Sequence, residues 1–169
     1  MKRPVLTDIQ LRVMQPQDLP LSFNIYISTR LDEMQLSGWS DQEIHQFLDA
    51  QAQTQHHYYM QHYQQAKYYI IEYAQHDVGR LYIDDLGPEI RIVDIALLPD
   101  FRNLGIGTTL IRQLQQQGQR QHLDVSIHVE QNNPAMRLYQ RLGFELVEKV
   151  NGIYHFMRWK YPQTMETPV

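Results

Sequence analysis

The run Ile92-Val93-Asp94-Ile95-Ala96-Leu97-Leu98 constrains the fold of this chain more than any other stretch. It is almost continuously apolar, so it does not suit a strand with one wet face. It suits a central strand covered on both sides, read here from Glu89 to Leu98. Pro99 ends the run, and the chain passes through Arg102-Asn103-Leu104-Gly105-Ile106-Gly107-Thr108 into a helical pattern. Ile106, Leu110, Ile111 and Leu114 recur on one side of that helix. A covered strand that turns sharply into an amphipathic helix belongs to a mixed α/β layer.

The flanking patterns agree. Ile9 to Met14 alternates as a strand, and about Asp18 to Met34 is helical. Ser40 reads as an N-cap, with Glu43 completing a capping box, for a helix running to roughly Gln65. Tyr68 to Tyr73 and Val78 to Ile83 form a hairpin around a turn at Gln75-His76-Asp77. The helix after Pro99 is expected to stop at Gly118. Leu123 to Val129 is a strand. Asn133 caps a further helix with Pro134 at its first position, and Gly143 ends it. Phe144 to Val150, the Asn151-Gly152 turn and Ile153 to Trp159 make a last hairpin. The expected class is α/β with a mixed sheet, in the order β-α-α-β-β-β-α-β-α-β-β. One domain is expected over residues 1–160, with 161–169 as a frayed tail.

Composition narrows the function. With 43% apolar residues the chain has enough for a packed core. The net charge of −4, with no basic run, argues against a nucleic-acid partner. The absence of cysteine excludes disulfides, a thiolate nucleophile and thiolate metal sites. No apolar stretch approaches the roughly 20 residues of a membrane helix, and none follows the basic start as a signal peptide would. A soluble cytoplasmic protein without a membrane partner is therefore expected.

The loop Arg102–Thr108 is the first chemical motif. Gly105 and Gly107 let backbone come close to a bulky anion, and the first N–H groups of a helix point at it with the helix dipole behind them. The dinucleotide fingerprint fails, because Leu110 stands where a third small residue is needed. No Gly-Lys-Ser/Thr run exists for a Walker loop. Taken alone, the motif also fits a tight strand-to-helix turn.

Thirty residues on comes Asn132-Asn133-Pro134-Ala135-Met136-Arg137-Leu138-Tyr139-Gln140-Arg141-Leu142-Gly143-Phe144. With Arg102, Gly105 and Gly107, the residues Asn132, Ala135, Leu138, Tyr139, Gly143 and Phe144 resemble the two signatures of the GNAT superfamily of N-acetyltransferases. The resemblance implies acetyl-coenzyme A as cosubstrate; no metal is expected, although His56 and His62 could converge on one. It implies that backbone of Ile95, Ala96 and Leu97 pairs with the pantetheine arm, and that the N–H groups from Asn103 to Thr108, which include Leu104 and Ile106, hold the pyrophosphate. It implies that Asn132 touches the coenzyme and that Tyr139 protonates the departing thiolate. A core aromatic is the other reading of Tyr139.

An attacking amine must be neutral, which calls for a base or a water relay. Asp94 is the first choice, because a carboxylate in an apolar strand is costly unless paired or functional. The equal alternative is a structural carboxylate bonded to Arg91, a tyrosine or backbone. His128 and Glu130 share a strand face and are further options. The cluster His56, His57, Tyr58, Tyr59, His62 and Tyr63, with Trp39 and Tyr154, shapes an acceptor site or simply packs. The expected function is an N-acyltransferase in which an amine attacks the thioester directly; the alternatives are a non-catalytic acyl-coenzyme A binder and O-acylation. The final strands offer a surface for a homodimer. The acceptor amine is not readable.

Overall fold

A computed structural model describes residues 7–163. The elements are β1 (Ile9–Val13), α1 (Leu19–Gln35), α2 (Asp41–His62), β2 (Lys67–Tyr73), β3 (His76–Asp84), β4 (Ile90–Leu97), α3 (Ile106–Gln121), β5 (Val125–Glu130), α4 (Met136–Arg141), β6 (Glu145–Val150) and β7 (Tyr154–Trp159). Short 3-10 turns precede α1 and follow β4. The seven strands run in the order β1-β2-β3-β4-β5-β7-β6, with β4 in the middle, as the apolar run requires. The expected mixed α/β fold is what the chain adopts. No helix among the described residues is long and apolar enough to cross a membrane. The expected tail lies outside the described residues beyond position 163.

Two compact units make up the fold. Among the described residues, the first comprises 7–83 together with Asp94–Gly107; the second comprises Asp84–Val93 together with 108–163. The division therefore falls inside β4 and inside the first turn of α3.

In the first unit, α1 and α2 share a core of Tyr26, Ile27, Ile44, Leu48 and Ala52, with Phe23, Leu31 and Met34 packed against it. Ser40 caps α2 by accepting from the Glu43 N–H at 3.2 Å. The helix ends at His62, three residues early, because Tyr68 donates its hydroxyl to the carbonyls of Tyr59 and Tyr63 and closes the last turn. The β2–β3 turn is Ala74-Gln75, not Gln75-His76-Asp77. Both residues have positive φ, 48° and 67°, and Tyr73 pairs with His76 across them. Such a two-residue turn matches the twist of the flanking strands.

In the second unit, β4 pairs in parallel with β5 over Ile90–Ile92 opposite Val125–Ile127. β5 pairs along its whole length with β7. Ile90, Ile92, Leu110, Ile111, Val125, Ile127, Val129 and Met157 are buried. The helix α3 does not stop at Gly118. It runs to Gln121, and His122, with φ of 57°, takes the left-handed position that ends it. The Leu123 N–H then reaches back to the Gly118 carbonyl at 2.9 Å, closing the turn.

Candidate functional site

The chain leaves β4 through a 3-10 turn in which the Phe101 N–H donates to the Leu98 carbonyl and the Arg102 N–H to that of Pro99. Two left-handed residues follow, Asn103 with φ of 61° and Gly105 with φ of 92°. Asparagine tolerates that region better than most residues, and glycine adopts it without penalty. The double reversal brings the chain into α3, anchored by the fully buried Ile106, while Leu104 stays exposed. The first-turn N–H groups of this helix have no helical carbonyl to meet.

Arg102 braces the loop. Its Nε donates to the Leu97 carbonyl at 3.0 Å, and its Nη2 reaches the Ser28 carbonyl and hydroxyl at 3.2 and 3.3 Å. The guanidinium thus ties the end of β4 to α1.

Asp94 is held by two partners. Arg80 Nε donates to Oδ1 at 3.0 Å and Nη2 to Oδ2 at 2.9 Å, a bidentate pair. The Tyr59 hydroxyl donates to Oδ2 at 2.8 Å. The remaining Arg80 donors go to the Ser22 carbonyl and hydroxyl and to Gln55. The side chains of Arg80 and Asp94 are only 4% and 12% exposed. Burial works against the Arg80 charge, yet the attraction of Asp94 holds the guanidinium protonated, its pKa raised. Burial, then Asp94, raises the Tyr59 phenol far above its ordinary range, so it stays neutral and donating. Arg91 is not the partner of Asp94. Three residues along a strand point to opposite faces, and Arg91 instead pairs with Glu89 at 2.8 Å and bonds Ser126 at 2.7 Å. The sequence motifs do not single out Arg80. Its signal was a lone cation inside the apolar run Val78–Ile83.

In the second unit, Asn132 and Tyr139 do not share a helix face. The helix α4 starts only at Met136, so Asn132 lies in the turn before it and is exposed, while Tyr139 is on the helix and buried. Asn133 caps that turn, its Oδ1 accepting from the Ala135 N–H at 2.8 Å, and not the helix itself. The Tyr139 ring meets Phe144 edge-on, with centroids 5.7 Å apart. His128 receives an Arg91 N–H at Nδ1, 3.3 Å away, and stacks on Phe156. Burial first, then Arg91, lowers its pKa.

The sequence profile described as the acetyltransferase (GNAT) family matches residues 29–144, from within α1 to just past α4. That match covers most of the chain. The chain belongs to the GNAT acetyltransferase family. An N-alpha-acetyltransferase of Sulfurisphaera tokodaii is 33% identical over 66 residues, which is 37% of this chain and 40% of that protein. The cysteine-rich protein 2-binding protein of Mus musculus is 43% identical over 66 residues, 39% of this chain and 8% of that protein. The match therefore spans less than half the length of either relative. The crystal structure of PaiA N-acetyltransferase from Thermoplasma acidophilum in complex with coenzyme A superposes with a TM-score of 0.66 at 15% identity, covering 90% of this chain and 99% of that one. At that identity the likeness concerns the fold.

In this GNAT chain the aromatic and histidine cluster of α2 divides. Tyr59 turns inward to Asp94. Tyr58 and His62 stack on each other at 4.0 Å, and both are exposed. His56 lies edge-on to Phe23. Trp39 meets Phe47 rather than a buried core, and Tyr154 is partly exposed on the last hairpin.

Proposed function

We propose that this chain binds acetyl-coenzyme A along the second half of β4 and the opening of α3, and transfers the acetyl group to a primary amine. One observation carries the reading. β4 is the middle strand of the sheet, yet its residues Val93–Leu97 are all partly solvent-accessible, directly ahead of the glycine loop. The parallel pairing with β5 covers only Ile90–Ile92. Beyond it the backbone of Ile95, Ala96 and Leu97 offers an edge on which a pantetheine amide can pair as an added strand. The N–H groups from Asn103 to Thr108, Leu104, Gly105, Ile106 and Gly107 among them, then receive the pyrophosphate at the helix start. The coenzyme in the Thermoplasma relative and the activity named for the Sulfurisphaera relative support the same reading.

In this reading the amine nitrogen bonds to the thioester carbon and the carbon–sulfur bond breaks. The thiolate takes a proton from Tyr139, whose phenol, of ordinary pKa about 10, can protonate a leaving group of about 8.5. Direct attack suits a chain with no cysteine thiolate to carry an acyl group. Asn132 contributes its side-chain amide to the coenzyme. Asp94 is assigned a positioning role in place of the general base, since Arg80 and Tyr59 already engage both its oxygens; the proton lost by the amine passes to water.

The test is thiol release from acetyl-coenzyme A against a panel of amines. Release that depends on the amine is expected. Coenzyme binding without release for any amine would leave a non-catalytic binder and overturn the reading. Gly105→Val forces a β-branched side chain into a φ of 92° over the loop, and calorimetry should show weakened coenzyme binding. Undiminished affinity would remove the loop from the site.

A further inference from the structure

Gly79 stands inside β3, between the buried Val78 and Arg80. A glycine inside a strand packs nothing and loses more conformational freedom on folding than any other residue. Its φ lies outside the left-handed region, so the backbone conformation does not call for it. The space around it does. A Cβ at Gly79 would strike the carbonyl oxygen of Ala96, and would lie 2.8 Å from Leu97 Cδ2 and 3.2 Å from Leu97 Cα. Two of these three neighbours are backbone, which cannot swing aside as a side-chain tip can.

β3 and β4 are neighbours in the sheet. Paired strands lie about 4.8 Å apart, and side chains stand clear of the neighbouring backbone. At Ala96–Leu97, therefore, β4 does not run flat beside β3. It leans over the face of β3, and only a residue without a side chain fits beneath it. The Leu97 side chain then lies across Gly79. Two hydrogen bonds hold the leaning segment. The Leu98 N–H donates to the Val78 carbonyl at 2.8 Å, and Arg102 Nε donates to the Leu97 carbonyl at 3.0 Å. All of these residues belong to the first unit.

We propose that Gly79 and Leu97 are a positioning pair for the pantetheine arm. The missing side chain at 79 and the leucine lying across it set the lean of β4, and with it the aim of the Ile95–Leu97 backbone. This role rests on the coenzyme reading above and deepens it. Both residues act through the strand, not through a side-chain contact with the coenzyme. The pyrophosphate is assigned to the loop, whose Arg102 keeps a second anchor at Ser28. The pair therefore governs the arm and leaves the nucleotide end alone.

Calorimetry with coenzyme A and with 3′-phospho-ADP, which is its nucleotide end without the arm, tests the role. The parent should bind coenzyme A the more tightly, and the excess belongs to the arm. In Gly79→Ala coenzyme A should bind about tenfold more weakly, the scale of one or two lost backbone hydrogen bonds, while 3′-phospho-ADP binds as in the parent. Leu97→Ala crowds nothing and serves if Gly79→Ala fails to fold; it should lose a smaller part of the same excess. Gly87→Ala, with nothing near its Cβ, should match the parent for both ligands. An unchanged excess in Gly79→Ala or in Leu97→Ala, or a loss shared equally by both ligands, overturns the proposal. A parent that binds neither ligand, or binds both alike, would overturn the coenzyme reading and this role with it.

Discussion

Tyr139 is buried against Phe144 and carries the phenol assigned to the leaving thiolate. Tyr139→Phe keeps the ring contact and removes only the hydroxyl, so it separates chemistry from packing. Turnover should fall by roughly 10² to 10⁴ while coenzyme affinity, read by calorimetry, stays nearly unchanged. An unaltered rate would reduce Tyr139 to a core residue. Asp94 is expected to behave in the opposite way. Asp94→Ala strands the buried Arg80 guanidinium without its counter-charge, a loss of about 3–5 kcal/mol in unfolding free energy. Asp94→Asn should also lower the melting temperature, yet leave the pH profile of the rate with its acidic limb in place. Loss of that limb would make Asp94 the base.

At the scale of elements, α3 shows what the sequence reveals and what it hides. Ile106, Leu110, Ile111 and Leu114 announced the helix and its buried face, and all four are buried. The end was misplaced because Gly118 has two uses. As punctuation it stops a helix; here it sits inside one where a side chain would collide with the Leu123 carbonyl and press on Trp159. Those neighbours come from beyond the helix, so no local pattern shows them. The same limit hid Arg80, whose partner Asp94 lies on the next strand. The loop and the Asn132–Phe144 signature were legible because a phosphate cradle is built from consecutive residues. The Arg80–Asp94–Tyr59 network was not, since it joins β3, β4 and α2. Gly118→Ala decides between the two uses. Helix propensity alone favours alanine by about 0.5–1 kcal/mol. The collision should win, destabilising the protein by about 1–3 kcal/mol in denaturant unfolding. A stabilised variant would show that the backbone gives way freely.

For the whole molecule, stability should turn on pH in a window set by two histidines, one in each unit. His56 has its pKa lowered by burial, then by Arg80 and His57. His128 is lowered by burial, then by Arg91. Both are therefore held neutral in the folded chain at a pH where the unfolded chain, near 6.5, already takes up protons. The unfolded state then binds more protons than the folded one, so stability rises with pH across this window and falls as pH drops below about 6.5. Asp18 acts lower down. The Arg12 hydrogen bond, then the Gln15 N–H, lowers its pKa, so its contribution is intact above about pH 4 and is lost only below that value. The two effects are thus separated on the pH axis. Thermal unfolding followed by circular dichroism should show the midpoint falling from pH 7 to 5. In His56→Gln with His128→Gln the slope over that interval should flatten, while the loss below pH 4 persists. Each single variant reports on its own unit. Parallel slopes for the double variant and the parent would place the proton uptake on other groups.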